Sequence, residues 1–141
     1  MANPMWTRVA ERIGVEAKPP SGVWTKVCDY IGPKRLIKIE VVDDNESWEY
    51  SQGTGCGANG DLTGNQTDRM IAGAPVGALI GKIGGSTAVN EADNALFVAG
   101  ALLVMRLKDT QEGPLYLTIN DALAGLADNS KVIHVNVYEA L

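Results

Sequence analysis

Residues 113–138, GPLYLTINDALAGLADNSKVIHVNVY, decide the fold. Leu115, Leu117 and Ile119 alternate with Tyr116, Thr118 and Asn120, and Ile133, Val135 and Val137 alternate with His134, Asn136 and Tyr138. A period of two is the mark of a half-buried strand, because successive side chains point to opposite faces. Leu117, Ile119, Val135 and Val137 are therefore expected in the core. Between the two runs a short loop carries Asn120, Asp121, Asp128 and Asn129, so oxygen-bearing side chains gather where two strands end. Converging oxygens without thiols or imidazoles suit a hard cation such as calcium. They also suit a plain turn, the commoner use of such residues, since short polar side chains cap turns and tolerate left-handed backbone.

Outward from this stretch, a chain of 141 residues fits one domain with a proper core. Its 16 glycines and 6 prolines imply many tight turns, which favours an all-β design over a helical one. A net charge of −5 argues against a nucleic-acid partner, which would require a basic face. The strongest apolar stretch, residues 95–107, is too short to span a membrane and ends in charge. The opening Met-Ala-Asn-Pro-Met-Trp has no basic segment followed by an apolar one, so no secretory signal is read and a cytoplasmic location is expected. Cys28 and Cys56 fit free thiols there, or one disulfide if the protein leaves the cell.

Residues 6–14, WTRVAERIG, recur as residues 24–32, WTKVCDYIG. In the first copy Trp6, Val9 and Ile13 suit one face of a helix, so residues 1–22 are read as a short helical N-terminal arm ending in the linker Pro19-Pro20-Ser21-Gly22. The arm serves either as an oligomer contact that buries Trp6 or as a helix packed on its own domain. Residues 36–42 read as a strand with Ile37, Ile39 and Val41 on one face. Asp43, Asp44 and Glu46 read as a solvated turn rather than a second cation site. Residues 51–68 have almost no large apolar side chain and read as a long surface loop, the usual place for binding on a rigid scaffold. Its glycines do not follow the phosphate-loop pattern. Residues 77–83, 95–99 and 102–107 complete a set of about eight short strands, the signature of an antiparallel β-sandwich or jelly roll over residues 23–141.

Catalysis finds little support. His134 is the only histidine and lies on the polar side of a strand, neither thiol stands in a hydrolase signature, and no His/Cys spacing suits zinc.

The run Tyr116-Leu117-Thr118-Ile119-Asn120-Asp121 followed by Asp128-Asn129-Ser130 resembles the calcium loop of the bacterial soluble galactophilic lectins, small jelly-roll sandwiches that bind galactose through a calcium ion. Residues 77–84, GALIGKIG, are similar to a strand of the same family, and Tyr50 and Gly60-Asp61 fall on family positions. The resemblance covers residues 24–138 and implies a strand for the second copy of the repeat. It also implies that Ca2+ is held by the side chains of Asp121, Asp128 and Asn129 and the backbone carbonyls of Tyr50 and Gly125. It places a sugar against Gly64, Asn65, Thr67, Asp121, Ala122, Gly125 and Asp128. Several of these depart from the family pattern. Gly125 replaces a threonine, Asp128 an asparagine, and Gly64-Asn65 with Thr67 replace the His-Pro pair and glutamine that touch galactose. Lys131 stands where the related sequences commonly have glycine.

Two readings follow. In the first the protein is a calcium-dependent, carbohydrate-binding homo-oligomer for galactose-like or other vicinal-diol sugars, with the arm and residues 132–138 as subunit contacts, and it is not an enzyme. In the second it is a non-lectin sandwich, an interaction module whose loop is a structural metal site or a simple turn network.

Overall fold

A computed structural model describes residues 5–20, 22–64, 66, 69–85 and 96–141. The architecture is an all-β antiparallel sandwich. One sheet holds β1 (Thr7–Glu16), β11 (Val132–Ala140), β3 (Leu36–Val41) and β9 (Leu102–Arg106), in that order. The other holds β2 (Thr25–Ile31), β10 (Gly113–Ile119), β7 (Val76–Ile83) and β6 (Asn59–Asp61), with β8 (Phe97–Val98) also on β7. A two-stranded ribbon, β4 (Trp48–Ser51) with β5 (Thr54–Cys56), completes the described strands. Among the described residues no helix is long and apolar enough to cross a membrane.

The alternating segments behave as their period dictates. Leu115, Leu117 and Ile119 of β10 and Ile133, Val135 and Val137 of β11 are fully buried and meet Ile37 and Ile39 of β3 in one apolar core. β7 is buried along its whole length, since both of its faces are covered.

The N-terminal segment corrects the sequence reading: residues 7–16 are a strand, not a helix, paired with β11 from Thr7↔Glu139 to Glu16↔Val132. Register shifts between Arg8 and Ala10 and between Ala10 and Ile13, with Arg12 at φ 49°, break the period of two. Bulges of this kind shift side chains between faces, and here they produce the three- and four-residue apolar spacing that imitates a helix. The loop reading of residues 51–68 is likewise corrected, because β5 and β6 lie inside it. Small residues hide them, as strands of Thr, Gly, Asn and Cys carry no hydrophobic alternation.

The repeated sequence has a structural counterpart. Each copy forms the edge strand of one sheet and joins a row across three strands. Arg8 pairs with Tyr138 and Tyr138 with Lys38 in the first sheet; Lys26 pairs with Tyr116 and Tyr116 with Lys82 in the second. Lys38 Nζ lies 5.1 Å from the Trp6 ring and 4.4 Å from that of Tyr138. Lys82 Nζ lies 5.0 Å from Trp24 and 5.2 Å from Tyr116. An ammonium flanked by two aromatic faces is attracted to both ring quadrupoles. The copies even repeat their i,i+3 ion pairs, Arg8–Glu11 at 3.4 Å and Lys26–Asp29 at 3.1 Å. They differ in burial: Trp24 is 2% exposed, while Trp6 keeps part of its surface in solvent.

Candidate functional site

The site begins where β10 ends. Asn120 is fully buried and belongs to the frame rather than to a ligand set. Its Oδ1 accepts from Ile71 N at 2.9 Å, and its Nδ2 donates to the carbonyls of Ile71, Ala74 and Pro75 at 3.1, 3.3 and 3.1 Å. One side chain thus pins the approach to β7 against the end of β10. The next residue, Asp121, is 8% exposed, and its Oδ1 accepts from Ala122 N at 2.7 Å. Burial is the main cause that holds its carboxyl above the usual range; the hydrogen bond from Ala122 N and the neighbouring Asn129 amide oppose it, and the nearby Asp128 charge adds to it.

From Asp121 the chain makes a 3₁₀ turn, Leu123–Asp128, closed by Gly125 N to Ala122 O at 3.0 Å and Asn129 N to Leu126 O at 3.1 Å. The turn brings Gly125 back over the carboxylate: a Cβ on Gly125 would stand 3.4 Å from Asp121 Oδ1 and 3.5 Å from Oδ2. Asn129 is 4% exposed and donates from Nδ2 to Ala17 O at 3.1 Å. Asp121 Oδ2 and Asn129 Oδ1 are both buried, and neither has a hydrogen-bond partner among the described residues. Buried acceptors are normally satisfied, so two such oxygens on one short loop call for a positively charged or donating ligand. Asp128 is exposed and Ala122 half-buried.

The loop is tied to β4 on its far side. Glu49 and Ser130 exchange backbone hydrogen bonds of 2.9 and 3.1 Å, and Ser130 Oγ donates to Glu49 Oε1 at 3.0 Å. Lys131 Nζ lies 3.0 Å from Glu49 Oε2 and, with Ser130, holds the Glu49 carboxyl below its ordinary range. Lys131 has φ 74°, a left-handed conformation that glycine adopts freely. The Glu49 ion pair anchors the lysine in that conformation.

This tie sets Tyr50, the residue after Glu49, beside the loop. Its hydroxyl donates to Asp61 Oδ2 at 2.8 Å, and burial together with that carboxylate pushes the phenol up to about 12. Asp61 Oδ1 accepts from Thr63 N at 2.9 Å and from Thr63 Oγ1 at 2.7 Å, while Gln66 Nε2 closes onto the carbonyls of Asp61 and Gly64 at 2.6 and 2.8 Å. Gly64 packs directly on the tyrosine, since a Cβ there would stand 2.3 Å from Tyr50 Oη. Asn65 and Thr67, expected on the sugar side, lie outside the described residues.

Of the four loop residues expected to converge, Asp121 and Asn129 each bury an oxygen, Asp128 is exposed, and Asn120 is a frame residue. Among the described residues there is no group of three or more His, Cys, Asp or Glu side chains suited to a metal. A cation at this loop would draw on two carboxylates at most, with amide and backbone oxygens beside them, a donor set suited to calcium rather than zinc.

Sequence reasoning missed a second polar centre. Glu46, read as part of a solvated turn, receives His134 N at 2.8 Å and faces His134 Nδ1 at 2.7 Å. The two residues are 88 apart in sequence, and no local pattern announces the pair. A cleft of about 470 Å³ beside it is lined by Val41, Asp44, Glu46, Asn59 and Ala101, among others. Cys28 and Cys56 are free thiols.

No family model and no curated protein matches the chain.

Proposed function

We propose that this chain is a calcium-dependent carbohydrate-binding protein whose cation is held at the loop after β10. The carrying observation is the pair of buried, unpartnered oxygens, Asp121 Oδ2 and Asn129 Oδ1. A calcium ion would compensate the Asp121 carboxylate and satisfy the Asn129 amide oxygen in one step, and Asp128 would add a second negative charge from the exposed side. The backbone carbonyls of Tyr50 and Gly125 are the further ligands implied by the resemblance. Such an ion would supply Lewis-acid binding to two adjacent sugar hydroxyls. The protein's own part is to fix the floor through Asn120 and to let the loops close on Tyr50 and Asp121 at two glycines, Gly64 and Gly125. The sugar is thus one presenting vicinal hydroxyls, and the altered residues at positions 64, 65 and 67 argue for a preference other than the galactose of the related lectins.

A structural ion without sugar binding is the second reading. It is favoured by Asp61, whose two oxygens are both taken within the protein by Tyr50 and Thr63. A glycan array probed with and without calcium, beside calorimetric titration of metal-free protein with calcium, separates the readings. Calcium heat with calcium-dependent glycan signal supports the lectin; calcium heat alone supports the structural ion; neither leaves only a turn network.

A further inference from the structure

The two sheets have four outer edges among the described residues, and three of them carry a device that discourages pairing with another chain. β1 is bulged twice and presents Arg8, Glu11 and Arg12. β2 has register shifts of its own and the exposed Lys26–Asp29 ion pair. The far side of β7 is covered by β6 and β8, three and two residues long. β9 has none of these. It reads Leu-Leu-Val-Met-Arg, without proline or bulge, and pairs with β3 in unbroken register from Leu36↔Arg106 to Glu40↔Leu102. Leu102 is 62% and Val104 51% exposed, and Leu96 and Val98 just upstream are exposed as well. The bonds Val41 N to Ala101 O and Leu107 N to Arg35 O place the odd-numbered residues of β9 toward β3. By the antiparallel alternation, the N–H and C=O groups of Leu102, Val104 and Arg106 then face the open side. A bare apolar edge of this kind is a template for another strand.

Charge selects the partner. At the Arg106 end of β9 stand Lys34, Arg35, Arg106 and Lys108, opposed by Asp109. At the Leu102 end stand Glu40, which pairs with Leu102, and Asp43, Asp44 and Glu46 beyond it, opposed by His134; Asp44 and Glu46 line the same cleft as Ala101. An antiparallel copy of the same strand, related by a two-fold axis near Val104, brings each basic end onto the partner's acidic end and stacks the apolar middle on itself. We propose that β9 is the docking edge for a second copy of this chain, joining two first sheets into one continuous sheet. Such an interface is isologous and closes at two subunits. β11, expected from sequence as a contact, is paired on both sides by β1 and β3 and has no edge to offer.

The proposed contact does not rest on calcium or sugar, and sedimentation of the pure 141-residue chain tests it. The expected result is a dimer that weakens as salt rises and that Val104→Lys weakens by roughly a hundredfold or more, because the two-fold axis sets the new lysines against each other. Circular dichroism checks that the variant is folded, and Leu102→Lys, at the more exposed of the two positions, repeats the test if it is not. A wild-type chain that stays monomeric, as it would if the edge served a different protein, overturns the proposal. So does a dimer indifferent to both substitutions.

Discussion

Asp121 and Asn129 stand at the two ends of one 3₁₀ turn, each burying an oxygen that no described group hydrogen-bonds. The Asp121 carboxyl is pushed up chiefly by burial, so its charged form is held at a cost in the metal-free protein. Asp121→Asn keeps an oxygen for Ala122 N while removing that charge. The expected outcome has two signs: higher melting temperature without metal, and loss of the calcium gain, which in the parent is about 2.7 kcal/mol at a hundredfold excess over Kd. Asp43→Asn, in a turn where Asp43 Oδ1 accepts from Asn45 N at 2.9 Å, should leave the calcium gain intact. Melts with calcium and with chelator decide it; superimposed parent curves would remove the cation from the account.

Substitution at Gly64 tests whether the proposed sugar binding and the proposed ion are separable. Its Cβ would collide with Tyr50 Oη, so Gly64→Ala must displace either the loop or the tyrosine from Asp61. Overpacking of this kind costs about 1–3 kcal/mol. Glycan binding should fall while the calcium-dependent shift in melting temperature persists; equal loss of both would show that the ion and the loop are one unit.

Ile119 is fully buried at the C-terminal end of β10, and Ile119→Ala should cost about 2–5 kcal/mol in denaturant unfolding. A cost below 1 kcal/mol would be incompatible with its place between the sheets.

The two tryptophans of the repeat occupy matching rows but unequal environments, and their truncations should differ accordingly. Trp24→Ala, at a site 2% exposed, is expected to cost about 3–5 kcal/mol. Trp6→Ala, which gives up a half-exposed stack on Lys38, is expected to cost about 0.5–1 kcal/mol. Comparable losses would mean that the N-terminal strand is as deeply held as β2.

Burial raises the Cys56 thiol to about 11 and the Tyr50 phenol to about 12. A group whose pKa is raised on folding contributes stability that is full below its unfolded value and is lost as pH climbs through the folded one. The unfolded thiol titrates near about 8.5 and the phenol near about 10. Stability should therefore decline through the alkaline range between those values and the folded ones, and Cys56→Ala should flatten the lower part of the decline. Melting temperatures across alkaline buffers read this directly, and a flat profile would contradict the burial of both groups.

The sequence by itself determined what local pattern encodes. The period of two in residues 115–119 and 133–137 specified β10, β11 and their core-facing residues, and aliphatic alternation specified β3. The same stretch marked Asp121 and Asn129 as oxygens at a strand end. Tertiary structure decided the rest, for reasons that lie outside any local window. β1 looks helical until its bulges are placed against β11, because only pairing shows which residues were inserted. Whether an aspartate in a loop is a turn former or a buried charge depends on what covers it, and Asp121 is covered by Gly125 returning through the turn. Glu46 found His134, and Lys82 and Lys38 found their tryptophans, across separations that composition cannot measure. The bare edge at β9 likewise exists only once strand order is known: LLVMR is an ordinary apolar strand in sequence, and it becomes a surface because nothing among the described residues follows it in the sheet.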